Sequence, residues 1–398
     1  MPNLSKPTAT AAALCISLLF TFCFSATAAE PPLPKDVQTE KPLYEVWDEE
    51  VPTGQIAVAM DGTVLIFKGH GARSEDPKFI TVKRSQDGGK TWSEEKKVGE
   101  TVKVDGDMSD DGRYPHNEWT HLGNVTVDET TGDVMVFMST LKTAQKLYRS
   151  KDHGVTWKME DTTIKAGADG WMPATNGACD PGVTIKYGAK KGRLLMPARV
   201  FVEFLNKGKG RKRFNDLYAT ALYSDDHGKT WNSSAPFPIA GTGESGLVEL
   251  KDGTIYHNSR THMRTGNRRV AYSKDAGETW FGEHEDPTLF DGPPDEYGCK
   301  AALARLRYDD RDILLFCTPG LKDKRHNFTI WASYDGGKSW PHNKLIKAGP
   351  GNYPWMAVGR KGTPSENLIY VLAGKDWCAR FNLAWLFSES EDRPAVEK

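Results

Sequence analysis

The chain repeats one eight-residue phrase five times. Ser85–Trp92 reads SQDGGKTW, Ser150–Trp157 SKDHGVTW, Ser224–Trp231 SDDHGKTW, Ser273–Trp280 SKDAGETW and Ser333–Trp340 SYDGGKSW. Each copy fits S-x-D-x-G-x-[TS]-W and follows a short apolar, β-branched or aromatic run such as FITVKR, ATALY or FTIWA. A strand that runs into Asp-x-Gly is a hairpin signal. The Asp carboxylate is placed to accept from N–H groups of its own turn, and the Gly supplies a backbone conformation that other residues resist. The Trp offers a large apolar plate to a neighbouring layer. One copy carries little weight. Five copies, spaced roughly 50 to 75 residues apart, define a unit of about four strands, the size of a propeller blade. The phrase speaks to fold, and its residues are turn-formers rather than reacting groups.

The stretches between the copies read as strands. Gln55–Ala59 and Val64–Phe67 flank an Asp61-Gly62 turn, Asn124–Val127 and Val134–Met138 flank Thr131-Gly132, and Gly246–Leu250 and Thr254–Arg260 flank Asp252-Gly253. Further apolar runs lie at 181–185, 193–198, 216–223, 301–306, 313–317 and 328–332. A sixth unit, with Met356–Val358, Leu368–Leu372 and Ala379–Phe387, carries no copy. A propeller closes its ring most simply by mixing chain ends in one blade, so the strand at Tyr44–Trp47 is expected to join this last unit. The reading is an all-β chain: a six-bladed β-propeller of four-stranded antiparallel blades over residues 44–388.

The ends read differently. Lys6, an apolar run from Ala11 to Phe24 and the exit Ser-Ala-Thr-Ala-Ala-Glu make residues 1–29 a signal peptide, cleaved after Ala28 or Ala29. Residues 30–43 are a Pro- and Lys-containing linker, and 389–398 a charged tail. The mature protein is expected to be secreted or periplasmic, with no membrane span, and a monomer. Of 398 residues, 52 are Lys or Arg and 53 Asp or Glu, a net charge of -1 that argues against nucleic acid as partner. Cys179, Cys299, Cys317 and Cys378 remain after the signal; four cysteines allow three pairings, but small buried residues are the favoured reading. The acidic loop 105–119 lacks the Gly a calcium loop needs, and His116 and His121 have no matching ligand pattern, so neither a metal nor any other cofactor is expected.

The repeated phrase is the Asp box, and the array resembles the sialidase (neuraminidase) superfamily of six-bladed propellers over nearly all of residues 44–387. The resemblance implies a glycosidase for sialylated or other acidic glycans, and it carries to particular residues. Gly243-Glu244-Ser245 resembles the segment with the activating Glu, Asn258-Ser259-Arg260 and Arg325-His326-Asn327 the segments with two arginines of a carboxylate-binding triad, and Gly349–Tyr353 the loop ending in a nucleophilic Tyr. Asp76 falls where the family keeps its acid/base Asp. These residue types suit the chemistry. The anomeric carbon of a sialoside bears a carboxylate that repels an anionic nucleophile, so a neutral phenol beside a Glu is favoured. Arg forks match that carboxylate in a bidentate way. One departure stands out. Where the family has Arg-Ile-Pro, this chain has Val51-Pro52-Thr53, so Arg73 is the candidate substitute, with Arg113 and Arg199 more distant ones. Three functions therefore stay open: a sialidase-like hydrolase, a propeller hydrolase for a different acidic sugar, and a non-catalytic glycan-binding propeller.

Overall fold

The computed structural model describes residues 37, 40–47, 54–70, 78–102, 121–139, 146–202, 215–263, 266–292, 298–308, 311–320, 324–373 and 377–388. The stretch read as a signal peptide, Arg73, Asp76, Arg113, the acidic loop and the charged tail lie outside them.

Six sheets form six blades. The first holds Ile56–Val58, Val64–His70, Phe79–Ser85 and Lys96–Glu100; the second His121–Val127, Val134–Ser139, Lys146–Ser150 and Lys158–Asp161. The fourth holds Thr242–Glu249, Ile255–Thr261, Asn267–Ser273 and Phe281–Phe290; the fifth Ala302–Tyr308, Arg311–Gly320, Arg325–Ser333 and His342–Pro350. All are antiparallel meanders whose first strand is innermost, and the innermost strands pack side by side in a closed ring. The third blade is larger than expected. Two short pieces, Pro173–Ala174 and Val183–Thr184, both pair with Leu194–Phe201, and Thr163–Ile164 adds a parallel strand outside Thr230–Ser233.

The second strand of each blade is buried on both faces, because each sheet is covered by two neighbours. In the first two blades its sequence is therefore a continuous apolar run rather than an alternating one, with Val64, Leu65, Ile66 and Phe67 all fully buried, as are Val134 to Met138; in the fourth, the buried strand Ile255–Thr261 carries polar residues from His257 on. The ring closes as the sequence suggests. Tyr44–Trp47 pairs antiparallel with Trp377–Asn382, outside Leu368–Ala373 and Pro354–Val358. Asn382 stitches the two chain ends together. Its Oδ1 accepts from Leu43 N at 3.0 Å, its Nδ2 donates to Lys41 O at 2.9 Å, and its Oδ1 also caps the short helix Leu383–Phe387 by accepting from Trp385 N.

Each Asp box sits between the third and fourth strands of its blade, at the outside. In the first, Asp87 Oδ1 accepts from the N–H groups of Lys90 and Thr91 at 3.0 Å each, Oδ2 accepts from Thr91 Oγ1 at 2.6 Å, and Gly89 N donates to Ser85 Oγ at 2.8 Å. The core of this network recurs in all five copies. The residue before the conserved-position Gly is left-handed as well, with φ of 56° at His153, 59° at His227 and 55° at Ala276. The turn also faces the blade before it. A Cβ on Gly277, where φ is +89°, would lie 2.5 Å from Leu195 Cδ1 of the third blade. Trp157 meets Phe67 edge-on at 5.6 Å, and Trp231 meets Phe137 at 5.2 Å. The box is therefore both a turn and a joint between blades.

The sixth blade lacks a box because its third and fourth strands come from opposite ends of the chain, with no hairpin to staple. Cys179, Cys299, Cys317 and Cys378 are all buried and free. No helix among the described residues is long and apolar enough to cross a membrane.

The joint role sets expectations for stability. Trp231 is fully buried whereas Trp92 is half-buried. Trp231→Ala should cost about 3–5 kcal/mol and Trp92→Ala clearly less, read from urea unfolding. Gly277→Ala should cost about 1–3 kcal/mol, because it combines a left-handed backbone with overpacking.

Candidate active site

Glu244, Arg260, Arg325 and Tyr353 come from three blades but from one end of the ring. Glu244 lies near the start of the innermost strand of the fourth blade and Arg260 near the end of the next, antiparallel strand. Arg325 opens the third strand of the fifth blade, and Tyr353 immediately precedes the innermost strand of the sixth. In an up-and-down meander these positions share a face. The described strands Val64–His70 and Phe79–Ser85 of the first blade are adjacent in its meander; Arg73 and Asp76 lie outside the described residues.

The centre of the site is a three-way contact. Tyr353 Oη donates to Glu244 Oε1 at 3.0 Å. Arg260 Nη1 donates to Tyr353 Oη at 2.6 Å and forms an ion pair with Glu244 Oε2. The Arg260 guanidinium also lies 5.7 Å from the Tyr353 ring centroid. Glu244 and Arg260 are buried. Burial alone would raise the Glu244 carboxyl, but the Arg260 charge and hydrogen bond, with His262 and Arg199, together outweigh it, and the pKa sits at about 2. Burial, and then the Glu244 charge, push the Tyr353 phenol well above the ordinary tyrosine range. At neutral pH the pair is thus a neutral phenol hydrogen-bonded to a carboxylate. Such a pair can pass the phenolic proton to Glu244 as the oxygen becomes a nucleophile.

Arg325 is tied into the same region. Its backbone carbonyl accepts from Gly351 N at 3.0 Å, which fixes the Tyr353 loop, and its Nη2 donates to Gly298 O. Arg325 Nε is buried with no hydrogen-bond partner among the described residues. The buried Cys299 thiol is pushed up by burial, with the Arg325 and Arg260 charges opposing the rise.

Asp291 and His262 carry no signal in the sequence, whereas Arg199 is read there as a more distant candidate cation. Asp291 Oδ2 accepts from Thr261 N at 2.6 Å and its Oδ1 from Arg268 Nη1 at 2.7 Å, anchoring the strand end that bears Arg260. His262 is buried, and burial followed by the Arg260 charge lowers its pKa to about 3, so it is neutral beside Glu244. Arg199 lies near the end of the second strand of the third blade. Its charge reaches Glu244, His262 and Cys179, and its Nε is buried without a hydrogen-bond partner among the described residues. Among the described residues no three of His, Cys, Asp or Glu gather as a metal-ligand set.

Glu244 also sets a pH dependence. Its folded-state pKa, about 2, lies below the ordinary 4.5. Its contribution to stability is therefore full above about pH 4.5 and is lost as pH falls towards 2. Glu244→Gln should cost about 3–5 kcal/mol at pH 7, since it leaves Arg260 buried and uncompensated. The gap between wild type and variant should narrow below pH 4.5 in urea titrations. A gap that stays constant down to pH 2.5 would contradict the assigned ionisation.

Residues 56–364 match the family model for the BNR repeat-like domain. The chain is similar to the sialidase of Micromonospora viridifaciens, 28% identical, with 91% of this chain and 56% of that protein covered. It is also similar to the sialidase of Paraclostridium sordellii, 30% identical, with 68% of each covered. The chain spans about half the length of some of these curated relatives, 56% and 53% for those of Micromonospora viridifaciens and Bacteroides fragilis. In solved structures its fold matches that of the intramolecular trans-sialidase from Ruminococcus gnavus. The TM-score is 0.61 and identity 15%, with 84% of this chain and 95% of that one covered. With repeats, blade count and these matches in agreement, the chain belongs to the sialidase superfamily of BNR-repeat β-propellers.

Proposed function

We propose that the protein is an exported, monomeric, retaining glycoside hydrolase of the exo-α-sialidase type, releasing terminal sialic acid or a related acidic sugar from glycoconjugates. The observation that carries this reading is the Tyr353 hydroxyl donating to buried, ionised Glu244 at 3.0 Å, with Arg260 bonded to both. In the first step the Tyr353 oxygen bonds to the anomeric carbon while the bond to the leaving oxygen breaks. The phenolic proton passes to Glu244, and Asp76 protonates the leaving oxygen. In the second step water, deprotonated by Asp76, displaces the Tyr353 oxygen, which recovers its proton from Glu244. A neutral phenol avoids the repulsion that the substrate carboxylate would exert on a carboxylate nucleophile.

Arg260 and Arg325 are the two forks for the substrate carboxylate. With no Arg in Val51–Thr53, a third cation must come from elsewhere. Arg199, with its buried Nε unpartnered among the described residues and its charge near Glu244, is the described residue we assign, and Arg73 is the competing choice.

The test is turnover of a fluorogenic sialoside, combined with a 3-fluorosialosyl fluoride trap and peptide mapping. The wild type should carry the sugar on Tyr353. Tyr353→Phe should carry none, and Glu244→Gln should lose about 10²–10⁴-fold in turnover. A folded protein that neither turns over nor traps the sugar would rule out catalysis on sialosides.

The cation assignment has its own arms. A charge-assisted hydrogen bond is worth about 1.5–3 kcal/mol, so Arg199→Ala and Arg325→Ala should each lower kcat/KM by about 10- to 100-fold. Arg73→Ala should leave it within a few-fold. The reverse pattern for Arg199 and Arg73 would move the role to Arg73. If both variants keep wild-type sialoside turnover, this account of carboxylate binding is wrong. A second reading, a hydrolase for a different acidic sugar, draws on the absent arginine and is separated by a panel of acidic glycosides.

A further inference from the structure

The segment from Thr175 to Gly182 leaves the innermost position of the third blade and touches the innermost strands, or their approaches, in all five other blades. In the first blade, Gln55 Nε2 donates to Gly177 O at 2.7 Å and Cys179 O at 2.8 Å. In the second, Asn124 Oδ1 accepts from Asn176 N at 2.7 Å and Asn124 Nδ2 donates to Asp180 O at 3.0 Å. In the fourth, Cys179 Sγ donates to Gly243 O at 3.6 Å and Asp180 N to Ser245 O at 2.9 Å. In the fifth, Asp180 Oδ1 pairs with Lys300 Nζ at 2.7 Å and Asp180 Oδ2 accepts from Leu303 N at 2.8 Å. In the sixth, Trp355 Nε1 donates to Gly177 O at 3.0 Å, and Lys300 Nζ also donates to Pro354 O. Only a segment lying on the propeller axis can reach every innermost strand.

The choice of contacts is informative. Gly243 and Ser245 are the two neighbours of Glu244. Pro354 and Trp355 are the two residues after Tyr353. The loop therefore holds both sides of the Glu244 peptide and the chain directly behind Tyr353. Asp180 and Lys300 are both fully buried, so their bonds are not loosened by water. Gly246 has room for no side chain, because a Cβ there would run into Asp180 Oδ2.

We propose that the axial loop, locked by the Asp180–Lys300 pair, is the positioning element that sets the Tyr353–Glu244 distance for the reaction. The inference rests on the reading of Tyr353 and Glu244 given above. A misplacement of reacting groups by about 1 Å costs on the order of 100-fold in rate even when the mutation that causes it is far from the chemistry. Loosening the lock should therefore lower kcat and leave KM nearly unchanged, since the loop's hydrogen bonds described above go to neither Arg260 nor Arg325.

The experiment uses the full chain with Asp180→Asn and, in case that variant folds poorly, Asp180→Asn combined with Lys300→Met, which removes the buried unpaired charge. Gly277→Ala, on the outside of the fourth blade, serves as a control for general destabilisation. Measured well below each melting temperature, the loop variants should lose about 100-fold in kcat on the fluorogenic sialoside, with KM within about threefold. Trapping of the fluorosugar on Tyr353 should slow in parallel, and Gly277→Ala should keep wild-type kcat per folded molecule. Wild-type kcat and trapping rate in the folded double variant would overturn the positioning role while leaving the nucleophile assignment intact. A wild-type adduct on a residue other than Tyr353 would overturn that assignment, and the positioning role with it.

Discussion

Six sheets arranged about an axis converge where their innermost strands meet, and this fold ties that point with a buried charge. Asp180 and Lys300 lie 2.7 Å apart with side chains almost wholly removed from water. Taking two such charges from water costs several kcal/mol each, and a buried pair is weak evidence for net stability. Its value lies in specificity. Asp180 has acceptors and a donor for the fourth and fifth blades, and Lys300 reaches the sixth, so a small shift in any of these leaves a buried charge short of partners. Around the axis the register of the blades is set by polar bonds that tolerate little displacement, and the catalytic candidates are the immediate neighbours of those bonds.

The outside of the ring is held by different physics. Each Asp box satisfies its own backbone through one carboxylate and one hydroxyl, then presents a Gly and a Trp to the blade before it. The contact is apolar and repeats from blade to blade, as between Gly154 and Leu65 or between Trp340 and Tyr256. At the sixth blade, paired strands from the two chain ends and the branching bonds of Asn382 take its place.

The site between these layers inverts the ordinary behaviour of its groups. A buried carboxylate would be expected to take up a proton, yet Arg260 keeps Glu244 ionised, and the same burial keeps Tyr353 protonated. The two opposite shifts produce a proton donor and acceptor in contact at neutral pH. Asp291 and Arg268 behind Arg260 keep that guanidinium's strand end fixed, with Arg268 Nε also donating to Asn258 Oδ1 at 2.7 Å.

What the sequence determined by itself is what local chemistry encodes. The five boxes are legible because their hydrogen bonds join residues at most four apart, so the same letters must recur wherever the turn does. The continuous apolar runs of the second strands in the first two blades are legible because burial on both faces favours apolar residues, whereas the equally buried Ile255–Thr261 of the fourth blade carries His257, Asn258, Ser259 and Arg260. The site residues were named through resemblance, and the meeting of Tyr353 with Glu244, 109 residues apart, is a tertiary fact. So is the extra strand pairing of the third blade. The axial loop left no sequence mark. Cys179-Asp180-Pro181 follows a stretch of mixed character, GWMPATNGA, and the partner that gives Asp180 its meaning is Lys300, 120 residues away. A buried ion pair is specified by geometry across the ring, and no periodicity along the chain records it.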